Sequence, residues 1–340
     1  MGSGARPGSQ NSRRISPRKN ICEIIGTGHR NNNTHRAAGH RRPAQFQSIV
    51  PMLSNTPVNT DIFRNNLFIT DLDGTLLDGF AKVSNTSARI ISDLSHRGAL
   101  ISVATARTPA TVDPLLTHTF TTLPAIVLTG AAMWNRVHRC YQDTRLIDSD
   151  AAAGAVDALR SAGINPFIYS LSDKNMLNVF YNGAMSPREE KFANDRRGLA
   201  LKRFRLNEPT GLEHYIPGTI LIFAIGRADI IFEQAERLGC DSRLSISVYN
   251  DNYNPDSGIM EILACGVSKA SAVMQLKEMT GARHLTVFGD NLNDLPMMAV
   301  ADTSVATANA MPAVLDAADI VIGPNTEDSV ARYILSTLEG

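Results

Sequence analysis

Leu67-Phe68-Ile69-Thr70-Asp71-Leu72-Asp73-Gly74-Thr75-Leu76 joins a short apolar run to a turn that carries two carboxylates. The run Leu67–Thr70 has the length and composition of a buried strand, and the Asp-Gly turn chemistry after it ends that strand. Working outward, the same rhythm recurs. A helical pattern at Ser87–His96 leads to an apolar run at Leu100–Ala104, and a second at Pro109–Leu116 leads to Ala125–Leu128. Towards the C-terminus a helix at Lys269–Met279 precedes a strand at Leu285–Phe288, and a helix at Leu295–Val300 precedes Ser304–Ala306. A strand at Asp319–Ile322 and a helix at Asp328–Leu338 complete the series. Strands alternating with helices of this length predict an α/β fold with a parallel sheet covered on both faces.

The middle, about Asp148–Asp256, is less regular. It offers strands at Phe167–Tyr169, Met176–Tyr181, Thr219–Ala224 and Ser245–Tyr249, with helices near Pro187–Asp195 and Ala228–Leu238. That mixture predicts a smaller α+β domain inserted into the larger one. A length of 340 residues suits two domains, and 43% hydrophobic residues exclude wholesale disorder. No apolar run reaches the roughly 18 residues of a transmembrane helix. Cys22, Cys140, Cys240 and Cys265 lie far apart, which argues against a zinc ribbon or disulfide scaffold and for a reducing compartment.

The chain carries 33 Lys+Arg against 33 Asp+Glu, but the balance hides an asymmetry. Residues 1–65 hold ten basic and two acidic residues, net +8, and leave net −8 for the remainder. That basic segment is rich in Gly, Asn and Pro and shows no apolar period, so it reads as a disordered extension. It lacks the apolar stretch of a secretory signal, and Met52 is a candidate true start.

Four elements carry chemistry. Asp71 and Asp73 stand off a strand end, where ligands bind in parallel α/β sheets. One carboxylate there can attack phosphorus while the other moves protons, and Gly74 permits the sharp bend between them. Gly289-Asp290-Asn291-Leu292-Asn293-Asp294 follows a second strand, and Asp290 and Asp294 offer oxygen ligands to a hard divalent cation. Ala104-Thr105-Ala106-Arg107 ends a third strand, where Thr105 and backbone N–H groups can form an oxyanion pocket. Lys269 opens a helix, at its positive end, where a nearby anion would offset an unfavourable position. Each element alone has an ordinary structural reading as a turn, a cap or a solvated lysine. All four at the strand mouths and helix starts of one sheet do not.

In this order and spacing the motifs resemble the haloacid dehalogenase superfamily of Mg²⁺-dependent phosphohydrolases, and more closely its Cof-like branch. The resemblance covers about Asn66–Gly340. It implies a Rossmann-like parallel-sheet core (66–147 and 257–340) with an inserted, smaller α+β cap (148–256), behind the extension 1–65. It implies Asp71 as a nucleophile that forms an aspartyl-phosphate. Asp73 is then the general acid/base, with its backbone carbonyl in the metal shell. Thr105 and Lys269 would hold phosphoryl oxygens, and Asn293 would hydrogen-bond near the phosphate. Asp71, Asp73, Asp290 and Asp294 are the implied metal set, Asp294 either supporting the shell or ligating through water. The expected substrate is a small phosphorylated metabolite, a sugar or cofactor phosphate, met in the cytoplasm without membrane or nucleic-acid partners. An acidic residue at position 73 favours hydrolysis over ATPase function.

A sugar phosphomutase of the same superfamily and a non-catalytic phospholigand-binding protein are the alternatives. The chain departs from its relatives at Thr129-Gly130-Ala131, where Asn-Gly is frequent, and at Ala308-Asn309-Ala310, where Gly-Asn-Ala is usual. Within the expected cap, seven basic residues between Arg188 and Arg205 read as a solvated face, while Asn178 and Tyr181 are candidate substrate contacts.

Overall fold

Leu67, Phe68, Ile69 and Thr70 are buried on both faces of one strand, and that strand sits inside a parallel sheet. The structure is a computed structural model and describes residues 60–171, 175–209, 211, 214, 216–251 and 254–340. Its first elements are α1 (Thr60–Asn65), β1 (Asn66–Thr70), α2 (Asn85–His96), β2 (Leu100–Val103) and α3 (Pro109–Leu115). Three short strands follow, β3 (Ala125–Val127), β4 (Ala132–Asn135) and β5 (Cys140–Gln142). Then come α4 (Ser149–Ser161), β6 (Phe167–Leu171), β7 (Leu177–Tyr181), α5 (Pro187–Asn194) and β8 (Lys202–Leu206). Next are β9 (Thr219–Arg227), α6 (Ala228–Leu238), β10 (Leu244–Asp251) and β11 (Asn254–Ala264). The chain returns to the parallel sheet through α7 (Lys269–Thr280), β12 (His284–Gly289), α8 (Leu295–Met298) and β13 (Thr303–Thr307). It ends with α9 (Pro312–Ala317), β14 (Ile320–Ile322) and α10 (Ser329–Glu339).

Among the described residues the parallel sheet has five strands in the order β14-β13-β12-β1-β2. Side chains alternate across β1 because the strand repeat is two residues. Phe68 therefore packs with Ile91, Leu94 and Ile334 of α2 and α10. Leu67 and Ile69 pack on the opposite face with Ala272, Val273 and Leu276 of α7. Thr70 is in register with Phe288 on one side and Val103 on the other. The chain consequently leaves β1, β2 and β12 at one edge, and the residues just beyond are Asp71, Ala104 and Asp290.

A six-stranded sheet, ordered β10-β11-β9-β6-β7-β8, is built from residues that lie in sequence between β5 and α7. It is antiparallel except for the β7–β8 pair. One face carries Ile168, Ile222 and Ile262 against α4 and α6, through Ala155, Leu159 and Ile231. The alternating residues Tyr169, Leu221, Phe223 and Ile225 face a cavity shared with the parallel-sheet layer. An antiparallel β3-β4-β5 sheet lies beside β2, joined to it by a parallel bridge between Ala104 and Ile126.

Two expected limits move. Residues 60–65 form α1 rather than the end of a structureless extension, because Phe63 is 2% exposed and the Arg97 guanidinium lies 4.9 Å over its ring. The remainder of the basic extension, with Cys22 and Met52, lies outside the described residues. The limit at Asp256 falls inside β11, which runs to Ala264 and pairs with β9 through Ser257–Ile262. β10 and β11 pair antiparallel, so at Asp256 the chain is still inside the six-stranded sheet. Phe63→Ala should lower stability by about 3 kcal/mol, read as a reduced midpoint in urea unfolding.

Candidate active site

Asp71 follows β1 directly and is 6% exposed, its backbone N–H donating to the Phe288 carbonyl at 3.0 Å. The chain then bends sharply at Gly74, whose φ is +76°. A Cβ there would stand 2.2 Å from Asp290 Oδ2, so both the conformation and the space demand glycine. The bend lets the Thr75 hydroxyl donate to Asp290 Oδ1 at 2.8 Å, tying the β1 turn to the β12 turn. Asn309 secures the same bend from a third strand end, donating to the Gly74 carbonyl at 2.8 Å. Its own carbonyl accepts from the Asn325 N–H at 2.9 Å. The changed residue at position 308 therefore leaves that asparagine's contact in place.

Lys269 is the first residue of α7, after Ser268, which caps the helix by accepting from the Ser271 N–H. Its side chain is 1% exposed and reaches back to the sheet edge. Nζ donates to Asp71 Oδ1 and to Asp294 Oδ1, both at 2.7 Å. Asp294 is fully buried, and its second oxygen accepts from the N–H groups of Asp290 (3.1 Å) and Asn291 (3.2 Å). Gly289 leaves room for it, since a Cβ there would lie 2.6 Å from Asp294 Cβ.

Oxygens of Asp71, Asp290 and Asp294 lie within 4.8 Å of one another, a group able to hold a metal ion. Burial pushes the Asp71 carboxyl up to about 7 and Asp294 adds to the rise, while Lys269 opposes it. Burial likewise raises Asp290, to about 6. Burial works against the Lys269 ammonium too, but Asp71 and Asp294 outweigh it and hold the proton on.

The other expected site residues take different places. Asp73 stands apart from the three carboxylates, with its side chain 53% exposed. Arg107 Nε and Nη2 donate to its two oxygens, each at 2.6 Å. Thr105 is buried at the end of β2, and its hydroxyl accepts from the Arg107 N–H at 3.2 Å. Asn293 is exposed beside Asp294. Thr129 has φ +56° and donates to Glu261 Oε2 at 3.2 Å.

The motif reading quoted Arg107 without seeing its partner, and missed Glu261 altogether. A bidentate Arg–carboxylate pair across 34 residues has no local sequence signal. Burial raises the Glu261 carboxyl, opposed by hydrogen bonds from Thr129 and Tyr249.

Asp73 and Arg107 form part of the wall of a cavity of about 750 Å³ beneath the six-stranded sheet. Arg188, Lys191, Arg196 and Lys202 line it as well. The basic run is therefore a cavity wall in part, and the solvated-face reading is corrected for Arg188, Arg196 and Lys202, whereas the Lys191 side chain is 76% exposed. Tyr181, by contrast, is buried and donates to Glu189 Oε1 at 3.1 Å, whereas Asn178 accepts from Arg205. Both side chains are committed within the sheet layer.

Comparison with known proteins is consistent with this geometry. A sequence profile described as haloacid dehalogenase-like hydrolase matches residues 68–334. A 5-amino-6-(5-phospho-D-ribitylamino)uracil phosphatase of Bacillus subtilis is 25% identical over 270 residues, spanning 79% of this chain and 94% of that protein. A pyridoxal phosphate phosphatase of Escherichia coli is 42% identical over 81 residues, 23% of this chain and 30% of that protein. A haloacid dehalogenase-like hydrolase from Bacteroides thetaiotaomicron superposes with a TM-score of 0.63 at 20% identity. That superposition covers 80% of this chain and 98% of the other, and shows the shared fold.

Removing the buried cation should expose how much rests on it. Lys269→Met strands two buried carboxylates, and the expected loss is about 3–5 kcal/mol at neutral pH, measured by urea unfolding. Without the ammonium, the folded-state pKa of Asp71 rises further above its unfolded value. Such a carboxyl loses stability as pH climbs past its unfolded pKa, so the deficit should be larger at pH 8 than at pH 5.

Proposed function

Because the chain belongs to the haloacid dehalogenase-like hydrolase family, we propose that it is a Mg²⁺-dependent phosphatase that hydrolyses small phosphorylated metabolites through an aspartyl-phosphate. The observation that carries the proposal is the Lys269 ammonium bridging Asp71 and Asp294, with Asp290 within metal-sharing distance of both. That donor set is all oxygen and all carboxylate, and burial alone disfavours charging it, which fits a hard divalent cation. Asp71, Asp290 and Asp294 would hold the ion, with the Asp73 carbonyl as an added ligand. When bound, the ion neutralises the carboxylates and the phosphoryl oxygens they face.

The protein groups then divide the work. An Asp71 oxygen attacks phosphorus, and the bond from phosphorus to the ester oxygen breaks. Asp73 gives a proton to the departing oxygen, which leaves as an alcohol. Water next attacks the phosphorus of the aspartyl-phosphate, Asp73 takes its proton, and Asp71 is released with inorganic phosphate. For Asp73 to reach the leaving oxygen, its ion pair with Arg107 must open or turn. Lys269, Thr105 and Asn293 are assigned to the phosphoryl oxygens. The six-stranded layer serves as a cap over the leaving group and excludes water. The phosphorylated small molecules in the names of the two relatives above support this substrate class.

Among the described residues no helix is long and apolar enough to cross a membrane. Cys240 and Cys265 are free, and the cytoplasm as the site of action is part of the same proposal.

Hydrolysis of p-nitrophenyl phosphate should require Mg²⁺, and Asp71→Asn should lower kcat by roughly a thousandfold or more. Full activity in that variant would sink the mechanism. Metal binding must displace protons from Asp71 and Asp290, which hold them to about 7 and about 6. The affinity for Mg²⁺ should therefore rise about tenfold or more between pH 5 and pH 8, with proton release seen calorimetrically in buffers of different ionisation enthalpy. Equal affinity at both pH values would remove these carboxylates from the ligand set.

A further inference from the structure

Lys202 opens β8 and is 6% exposed, yet its neighbours are not those of a paired lysine. Its ammonium lies 5.8 Å from the Tyr169 ring centroid and 5.9 Å from that of Phe204. The charge acting on it is the like charge of Arg196, and burial together with that repulsion lowers its pKa to about 7. A buried cation facing rings and a second cation is costly unless something anionic joins it.

Lys202 and Arg196 both line the 750 Å³ cavity that also contains Asp73 and Arg107. The carboxylates around that cavity are already engaged. Asp73 is held by Arg107, Asp195 by Lys191 at 3.0 Å, and Glu261 by Thr129 and Tyr249. Arg196 stacks on Phe192, its guanidinium 4.1 Å from the ring centroid, and donates to the Phe192 carbonyl. The same cavity wall carries an apolar and aromatic surface, with Tyr169, Phe223 and Ile225 from the six-stranded sheet.

We propose that Lys202, with Arg196 beside it, is the recognition point for a negatively charged substituent on the leaving group, and that the substrate is a phosphate monoester whose alcohol carries an aromatic ring with an acidic oxygen. The ring lies against the apolar wall, and its anionic oxygen meets Lys202. Transfer of that oxygen from water is compensated by a charge-assisted contact that an uncharged sugar cannot make. This assignment rests on the phosphatase reading above and narrows its substrate class.

Benzyl phosphate and 4-carboxybenzyl phosphate, which share one ester and differ in one carboxylate, test it with the full-length Mg²⁺-loaded protein. The wild type should favour the carboxylated ester in kcat/KM by about tenfold or more. Lys202→Met, which keeps most of the side-chain volume, should bring the two esters to near parity, with the greater loss in kcat/KM falling on the carboxylated ester. Lys202→Arg should retain a preference. Equal use of both esters by the wild type would overturn the proposal and leave the phosphatase reading standing. So would a Lys202→Met variant that loses both activities by the same factor, the mark of a purely structural lysine. Absence of Mg²⁺-dependent turnover of either ester by the wild type would overturn the phosphatase reading, and this proposal with it.

Discussion

The Lys269 ammonium, enclosed between Asp71 and Asp294, is the interaction on which the site depends. A cation this deeply buried is tolerated only because two carboxylates meet it at hydrogen-bond distance, and they in turn depend on it. Asp71 leaves β1, Lys269 begins α7 and Asp294 follows β12, so one charge cluster binds three segments far apart in sequence. The parallel register of β1 with β12 brings two of them to the same edge. The cluster therefore ties the three segments together at the candidate site. Its residual cost, seen in the raised pKa values of Asp71 and Asp290, marks where an added cation would be welcome.

Close approach of the backbone is the second constraint. Gly74 and Gly289 sit where a methyl group would collide with Asp290 and Asp294 respectively. Gly130, with φ +96°, passes the Ser268 carbonyl so closely that a Cβ would lie 2.2 Å from it. These contacts seat the turn after β3 against the start of α7 and so help fix where Lys269 begins. Glycine is used here for space as much as for conformational freedom.

The second layer answers a different need. The parallel sheet and its loops supply the carboxylates, but the cavity above them is roofed by side chains from the six-stranded sheet. Strand alternation sends Ile222 and Ala224 to α4 and α6, and Leu221, Phe223 and Ile225 to the cavity. One strand thus contributes to a hydrophobic core and to a cavity wall at once. The cations Arg188, Lys191, Arg196 and Lys202 give that roof a sign opposite to the acidic floor.

By itself the sequence determined the alternating strand and helix pattern and singled out Asp71, Asp73, Asp290 and Asp294 as candidates, because apolar runs followed at once by Asp or Gly are local signals, whereas Lys269 stands out only in combination with them. It also set the order of the elements and the existence of an inserted layer between residue 148 and the return to the parallel sheet. Tertiary structure decided the rest. It showed that Lys269 is buried rather than solvated, that Asp73 is held by Arg107, and that part of a basic run lines a cavity. It also carried β11 through the expected boundary at Asp256 and folded Thr60–Asn65 against Arg97. Each of these depends on which distant residue lies opposite. Charge and turn chemistry are written residue by residue, whereas burial and pairing belong to the packed chain alone.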